Sequence, residues 1–303
     1  MRASEIARRV IESGAAPACV AGCATRDRFE TGGETGDLGL FFDLASVTKP
    51  FTAVAVARSG MGLAAPLESF VPELRGTRSG GCPLVLLLAH RAGLKSHLPI
   101  YEPLTRGEAV DPARALQVIA NARREDAEGE FPRAGFAPIY SDLGYILAGV
   151  ALARHTKTQD AGEAIARLVI GPFGLTGSIG TARDLKSAGI SLMERVAPTE
   201  VVPWRGGEIR GVVHDENAWA LTGEGGSGHA GLFGTIDGVL HFGREVLSRI
   251  GELGWLVEER PGGTLRAGFD GKSAIGSSAG ERPGPRTFGH LGFTGTSIWI
   301  DPD

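Results

Sequence analysis

The sequence predicts a mixed α/β (α+β) protein, and three observations predict it. A strand pattern lies near each end, at Ala18 to Thr25 and at Thr296-Ser297-Ile298-Trp299-Ile300. Helical spacing dominates the chain between them. Glycine separates these runs: the chain has 46 glycines, about twice the usual share, with apolar segments between them. Strands from both termini joined by a helical middle imply a sheet built from the chain ends and interrupted by a helical lobe. Two lobes from one chain leave a cleft, where small-molecule sites form.

The elements follow in order. Over Met1 to Gly14, Ile6, Val10 and Ile11 fall on one side and Glu5, Arg8, Arg9 and Glu12 on the other. That is an amphipathic surface helix, and it lacks the apolar core of a signal peptide. Cys19-Val20-Ala21-Gly22-Cys23-Ala24 reads as a strand, followed by a turn at Asp27 and a short strand near Phe29. The apolar run Leu40 to Ala45 leads into Ser46. From Ser46 to about Ser59, Phe51, Val54 and Ala55 give helical spacing, and Gly60 ends it. Pro83 opens an apolar helix through Ala89, with Gly93 as its stop. Asp111-Pro112 supplies a cap and a first-turn proline for a helix carrying Leu116, Ile119 and Ala120. Further helices are expected over Asp142 to His155, Ala161 to Ile170 and Asp237 to Ile250, while residues 176–216 show little period.

Composition narrows the function. The chain has 303 residues, 42% of them hydrophobic and 22% charged, which suits one large domain or two intertwined lobes. A net charge of −4 gives no basic surface for phosphate backbones, so nucleic acid is not an expected partner. No apolar run reaches the roughly 18 residues needed to span a membrane. As written, the chain reads as cytoplasmic; a removed leader would make it periplasmic. Cys19, Cys23 and Cys82 are too few and oddly numbered for a disulfide framework. In a strand, Cys19 and Cys23 lie ~13 Å apart, too far to bridge. We read them as buried free thiols rather than a metal pair.

Ser46-Val47-Thr48-Lys49 is a Ser-x-x-Lys motif at a helix start. Residues three apart share a helical face, so the Lys49 amine can reach the Ser46 hydroxyl. The helix N-terminus adds partial positive charge that favours an alkoxide and an oxyanion. Pro50 supports the placement, because proline is tolerated only near the first turn.

Three segments together resemble the serine β-lactamase and penicillin-binding protein superfamily, closest to its class C β-lactamase and esterase branch. They are Ser46-Val47-Thr48-Lys49, Tyr140-Ser141-Asp142 (a Tyr-x-Asn-like motif) and Gly289-His290-Leu291-Gly292 (a Lys- or His-x-Gly-like motif). Leu88 to Leu94 and Gly228 to Thr235 add supporting likeness. The resemblance implies a β-lactamase/transpeptidase-like fold: an antiparallel sheet flanked by terminal helices, plus an all-helical lobe. We assign residues 1–49 and 230–303 to the sheet lobe and 50–229 to the helical lobe, with the site between them. It implies Ser46 as acylated nucleophile, Lys49 and Tyr140 sharing the general base, and the backbone N–H groups of Ser46 and Phe293 as oxyanion hole. Loss of one such donor costs ~3 kcal/mol in other enzymes. Asp142, His290 and Gly292 are implied in substrate binding, and no metal or organic cofactor is. His214 and His229 join the substrate-binding candidates; otherwise His214 belongs to a capped turn and His229 to structural hydrogen bonding.

Four departures shape the expectation. Asp142 replaces the usual Asn, so it would pair with Lys49 and cannot donate an amide N–H. Leu291 stands where Thr or Ser helps hold a substrate carboxylate. His290 replaces the common Lys, so that positive charge would titrate near neutral pH. These changes favour ester or amide substrates without a strict carboxylate requirement. Relatives also continue past Asp303 into one more strand and a helix, and a sheet lacking that strand is expected to have low stability.

The expected activity is therefore a serine hydrolase, carboxylesterase-like, taking a small ester, amide or peptide substrate. D-alanyl-D-alanine carboxypeptidase and β-lactamase are alternatives within that class. A non-catalytic penicillin-binding or sensing protein is the alternative outside it. The oligomeric state is left open. Gly276-Ser277-Ser278-Ala279-Gly280 matches Gly-x-Ser-x-Gly but lacks the strand and helix that motif needs, so it reads as a loop. His90 reads as a packing residue, and Arg123-Arg124 as a solvated helix end.

Overall fold

The computed structural model describes residues 2–34 and 37–303. Its strands are β1 (Cys19–Ala24), β2 (Phe29–Glu34), β3 (Phe42–Asp43), β4 (Ile179–Thr181), β5 (Val201–Val202), β6 (Gly207–Glu208), β7 (Leu232–Gly234), β8 (Asp270–Gly271), β9 (Phe288–Leu291) and β10 (Ser297–Ile300). Among the described residues they form small antiparallel sheets in the orders β1-β2, β10-β9-β8, β3-β7-β4 and β5-β6. Helices fill the rest, giving the mixed α/β class that the two ends of the sequence predict.

The β1-β2 hairpin pairs Cys19 with Glu34 and Ala24 with Phe29. The helix Ala3–Glu12 lies on it with Ala3 and Ala7 buried, while Ile6 stays exposed. The expected apolar face is therefore displaced: small side chains form the contact because they let the helix lie close to the hairpin. Cys23 is exposed and Cys19 only half-buried, contrary to the expected buried thiols. Cys23 sits beside the hairpin turn, opposite Glu30. The helix Ile236–Ser248 packs across both β1 and β10.

Two helices run through the centre of the molecule. Thr48–Arg58 buries every residue from Thr48 to Val56, and Asp142–Thr156 buries Leu143 to Gly149. A helix apolar on all sides belongs in a core rather than on a surface. The Phe51 and Phe242 rings stack at 3.7 Å and join the first of these helices to Ile236–Ser248. The main core continues through Phe269, Phe288, Ile298 and Ile300, so strands and helices share one interior. A second cluster gathers Phe41, Leu185, Val213 and Phe233.

Helix starts follow their caps. Asp111 accepts from Ala113 N at 2.9 Å ahead of Pro112. Ser141 Oγ accepts from Gly144 N at 3.3 Å, which starts the central helix at Asp142. The expected helix Ala161 to Ile170 keeps α-geometry only to Ile165 and then widens into a π-turn, where Arg58 Nε donates to Leu168 O at 2.9 Å. Among the described residues no helix is long and apolar enough to cross a membrane.

Candidate active site

β3 ends at Asp43, and the chain reverses through Ala45, whose φ of +45° lies in the left-handed region. A 3₁₀ turn over Ala45–Val47 precedes the helix, which begins at Thr48 rather than at Ser46 as expected. The sharp turn at Ala45 delays the helical hydrogen bonds. Ser46 is half-buried, and Lys49, three residues on, has no exposed side-chain surface. Lys49 Nζ donates to Ser46 Oγ at 2.7 Å and lies 2.8 Å from Asp142 Oδ1 and 3.4 Å from the His229 carbonyl. The same ammonium sits 4.7 Å from the Tyr140 ring centroid. Ser46, Lys49, Tyr140 and Asp142, separated by up to 96 residues of sequence, thus share one point in space.

Backbone bonds hold the Tyr140–Asp142 segment. Ser141 N donates to His90 Nδ1 at 3.0 Å, Ser141 Oγ to Lys95 O at 2.6 Å, and Asp142 N to Ser96 O at 2.9 Å. His90 is buried and stacks on the Tyr140 ring at 4.7 Å, so its packing role also places the phenol. The His229 loop is seated by a glycine pair: a Cβ on Gly149 would lie 2.6 Å from Gly228 N. Only glycine at both positions lets the loop approach the helix backbone this closely.

Charge at this point is set by burial and by pairing. Burial alone would lower the Lys49 pKa, but the Asp142 carboxylate and the Tyr140 phenol outweigh it and hold the amine above its ordinary value. Burial alone would raise Asp142, and the Lys49 charge holds it below the usual carboxylate range. His290 is different from expectation. Burial, with the Lys49 charge, pushes it down to about 3, so it stays neutral instead of titrating near pH 7. Its Nδ1 hydrogen donates to Leu291 O at 2.7 Å. His90 is likewise lowered to about 3 by burial and the Lys49 charge.

The third strand motif approaches from the opposite side. Thr294 Oγ1 donates to Asp43 O at 2.6 Å and Thr296 Oγ1 to Leu44 O at 3.0 Å. These bonds clamp the turn after β9 onto the residues just before Ser46. A Cβ on Gly292 would come within 2.6 Å of Leu44 O. Among the described residues neither the Ser46 nor the Phe293 backbone N–H has an acceptor. The Phe293 side chain is 79% exposed. His214 stacks on it at 5.5 Å between ring centroids, and its backbone N–H donates to Asp43 Oδ2 at 2.7 Å. His229 is buried, with Nε2 2.8 Å from Asp215 Oδ1 and Nδ1 3.0 Å from Ser227 Oγ. Its ring is held away from solvent, and its carbonyl is the part that meets Lys49.

Sequence reasoning missed three participants, Asp43, Tyr145 and His97, and noted Asp215 only as part of the polar segment 213–217, read as lining the cleft or as a capped turn. Asp43 is buried three residues before Ser46. Asp215 faces His229 and caps Glu216–Thr222; burial would raise its carboxyl, but His229 holds it below the usual range. Tyr145 lies fully buried under Lys49, 5.7 Å from Nζ, and donates to Leu88 O at 2.7 Å. His97 Nδ1 is 4.0 Å from Asp142 Oδ2. Only Tyr145 carried a usable signal, since it stands three residues after Asp142 on the same helical face. Arg123 was expected in solvent and is buried. Its guanidinium lies 4.5 Å from the Phe131 centroid and donates to Arg78 O and Gly129 O, because the chain folds back over it. The Gly-Ser loop at 276–280 contains no helix or strand.

A Ser-x-x-Lys helix start, a tyrosine over the lysine and a glycine turn beside the serine, set in small antiparallel sheets among helices, define the serine β-lactamase and penicillin-binding protein superfamily. The Beta-lactamase family model matches residues 35–303, and the chain belongs to that family. It is a hydrolase of that family by this membership. A curated relative from Escherichia coli (strain K12), named "Putative D-alanyl-D-alanine carboxypeptidase", is 26% identical over 299 residues, covering 87% of this chain and 67% of the relative. The fold matches a class C beta lactamase from Rhodobacter sphaeroides with a TM-score of 0.69, 17% identity, and coverage of 99% of this chain and 90% of that one. It matches EstCE1, a hydrolase with promiscuous acyltransferase activity, with a TM-score of 0.72, 18% identity, and coverage of 99% and 90%.

Proposed function

We propose that the protein is a serine hydrolase working through an acyl-enzyme on ester or amide substrates, in the manner of a carboxylesterase. One observation carries this reading: a buried Lys49 ammonium within 2.8 Å of both Ser46 Oγ and Asp142, beneath the Tyr140 ring. Ser46 Oγ attacks the carbonyl carbon, and its proton passes to the Lys49–Tyr140 pair. Lys49 is held charged, so the pair must first release one proton to solvent. The carbonyl oxygen becomes an oxyanion and accepts from the Ser46 and Phe293 N–H groups. The bond to the leaving group then breaks as the pair returns the proton to it. Water repeats the sequence on the acyl-enzyme: it loses a proton to the pair and attacks the acyl carbon, and the pair returns that proton to Ser46 Oγ as the acyl bond breaks.

The substrate class follows from charge. His290 is neutral and Lys49 is paired with Asp142, so neither of these residues offers a free cation to a substrate carboxylate. That supports esters and amides over β-lactams. The relative's name favours a second reading, hydrolysis of D-alanyl peptides, whose terminal carboxylate needs a charge that neither Lys49 nor His290 supplies.

A fluorophosphonate probe with a nitrophenyl ester assay tests the proposal. Labelling and turnover are both expected, and Ser46→Ala should abolish them. Folded protein that takes no label would remove Ser46 as nucleophile; labelling without turnover would favour a sensing role. Nitrocefin turned over faster than nitrophenyl acetate would overturn the substrate class.

A further inference from the structure

We propose that Asp43 is a positioning residue for acyl transfer: its buried carboxylate holds the Ser46 turn and the Phe293 turn in the relative placement the reaction needs. Asp43 can play this part only if Ser46 is the nucleophile.

The side chain is 2% exposed, yet both oxygens are used. Oδ1 accepts from Ala45 N at 2.8 Å, and Oδ2 accepts from His214 N at 2.7 Å. These donors belong to different parts of the chain. The first stabilises Ala45 in its left-handed conformation, which disfavours a residue with a side chain. Ser46 takes its direction from that turn. The second fixes His214, whose ring stacks on Phe293. The Asp43 main chain adds a third tie, since its carbonyl accepts from Thr294 Oγ1. One residue therefore contacts the segments carrying both free N–H groups that face the reacting oxygen in the proposed mechanism.

A carboxylate serves both donors at once with full acceptor strength. An amide meets one of the two N–H groups with its own NH2, and a carboxylic acid keeps only a weaker acceptor on its hydroxyl oxygen. Burial pushes the Asp43 carboxyl up to about 6, and its bonds to His214 N and Ala45 N oppose that rise. The charged or titratable groups facing it from other segments are His214, Asp215 and Arg205. Arg205 donates to the Val213 and His214 carbonyls and not to the carboxylate.

The test compares Asp43→Asn with the wild type on p-nitrophenyl acetate between pH 5 and 8, after Ser46→Ala has shown that turnover belongs to Ser46. We expect kcat to fall at least tenfold in Asp43→Asn with KM within about twofold, and a wild-type kcat limb near pH 6 to be absent from the variant. A purely structural aspartate would lower the melting temperature and leave kcat per folded molecule and its pH profile in place; that result overturns the proposal. If Asp43→Asn does not fold, Asp43→Glu decides, and kcat per folded molecule equal to the wild type in that variant overturns the proposal. Asp43→Glu, which keeps the charge but displaces it, should retain the limb and lose kcat, and full activity in that variant counts against Asp43. Absence of any Ser46-dependent turnover would instead refute the hydrolase reading on which Asp43's part depends.

Discussion

At the residue scale, Lys49 and Asp142 make each other's burial tolerable. Either charge alone in this interior would cost several kcal/mol, and together they hold Lys49 protonated. The negative charge of Asp142 raises the pH at which the Lys49–Tyr140 pair can give up a proton. Asp142→Asn should therefore move the rising limb of the kcat profile to lower pH, read on a nitrophenyl ester; a limb displaced upward would contradict the mechanism. Ala45 offers a separate test. Its left-handed backbone suits glycine. Ala45→Gly should raise stability by about 1 kcal/mol, or about 2–4 °C in melting temperature. A lower melting point would show that the turn is not strained.

At the element scale, the contact between the Asp142–Thr156 helix and the His229 loop sets how Lys49 is approached. Gly149→Ala puts a methyl against the Gly228 backbone, and overpacking of this kind costs about 1–3 kcal/mol. The substitution should lower the urea midpoint and slow fluorophosphonate labelling of Ser46, since the His229 carbonyl must move. An ordinary solvent-facing helix would instead gain up to ~1 kcal/mol from the same change. How legible such elements were in the sequence depended on where their information lay. Asp111-Pro112 and Ser141 announced helix starts because caps are local. The Ser46, Tyr140 and Gly292 motifs were legible because each is a short pattern in order along the chain. Residues 176–216 were not, because β4, β5, β6 and the helices Ala182–Ser187 and Leu192–Arg195 are too short to show a period. Nor was Asp43: an aspartate after two phenylalanines gives no sign that its oxygens will be claimed by His214, 171 residues away. The neutral state of His290 was equally hidden, because it comes from burial beside Lys49 and not from the motif.

At the scale of the whole molecule, buried carboxylates oppose one another in pH dependence. The folded pKa of Asp43, about 6, lies above its ordinary 3.8. The stability it contributes is fully present below about pH 4 and is lost as pH rises through 6, a change of about 3 kcal/mol. Asp142 and Asp215 are held below their ordinary range, so their contribution is present above about pH 4 and lost on acidification. Thermal melts of the wild type should therefore fall between pH 4 and 6.5 relative to those of Asp43→Asn, and parallel curves would contradict the buried-carboxylate account. The pairing of Lys49 with Asp142 also has a kinetic consequence far outside the site. A mouth with its lysine matched by a carboxylate and its histidine uncharged casts little long-range field, and a net charge of −4 adds little. Substrates reach Ser46 by unguided collision, so kcat/KM for an anionic ester should stay level from low to high ionic strength, with none of the salt-sensitive steering of a charged funnel.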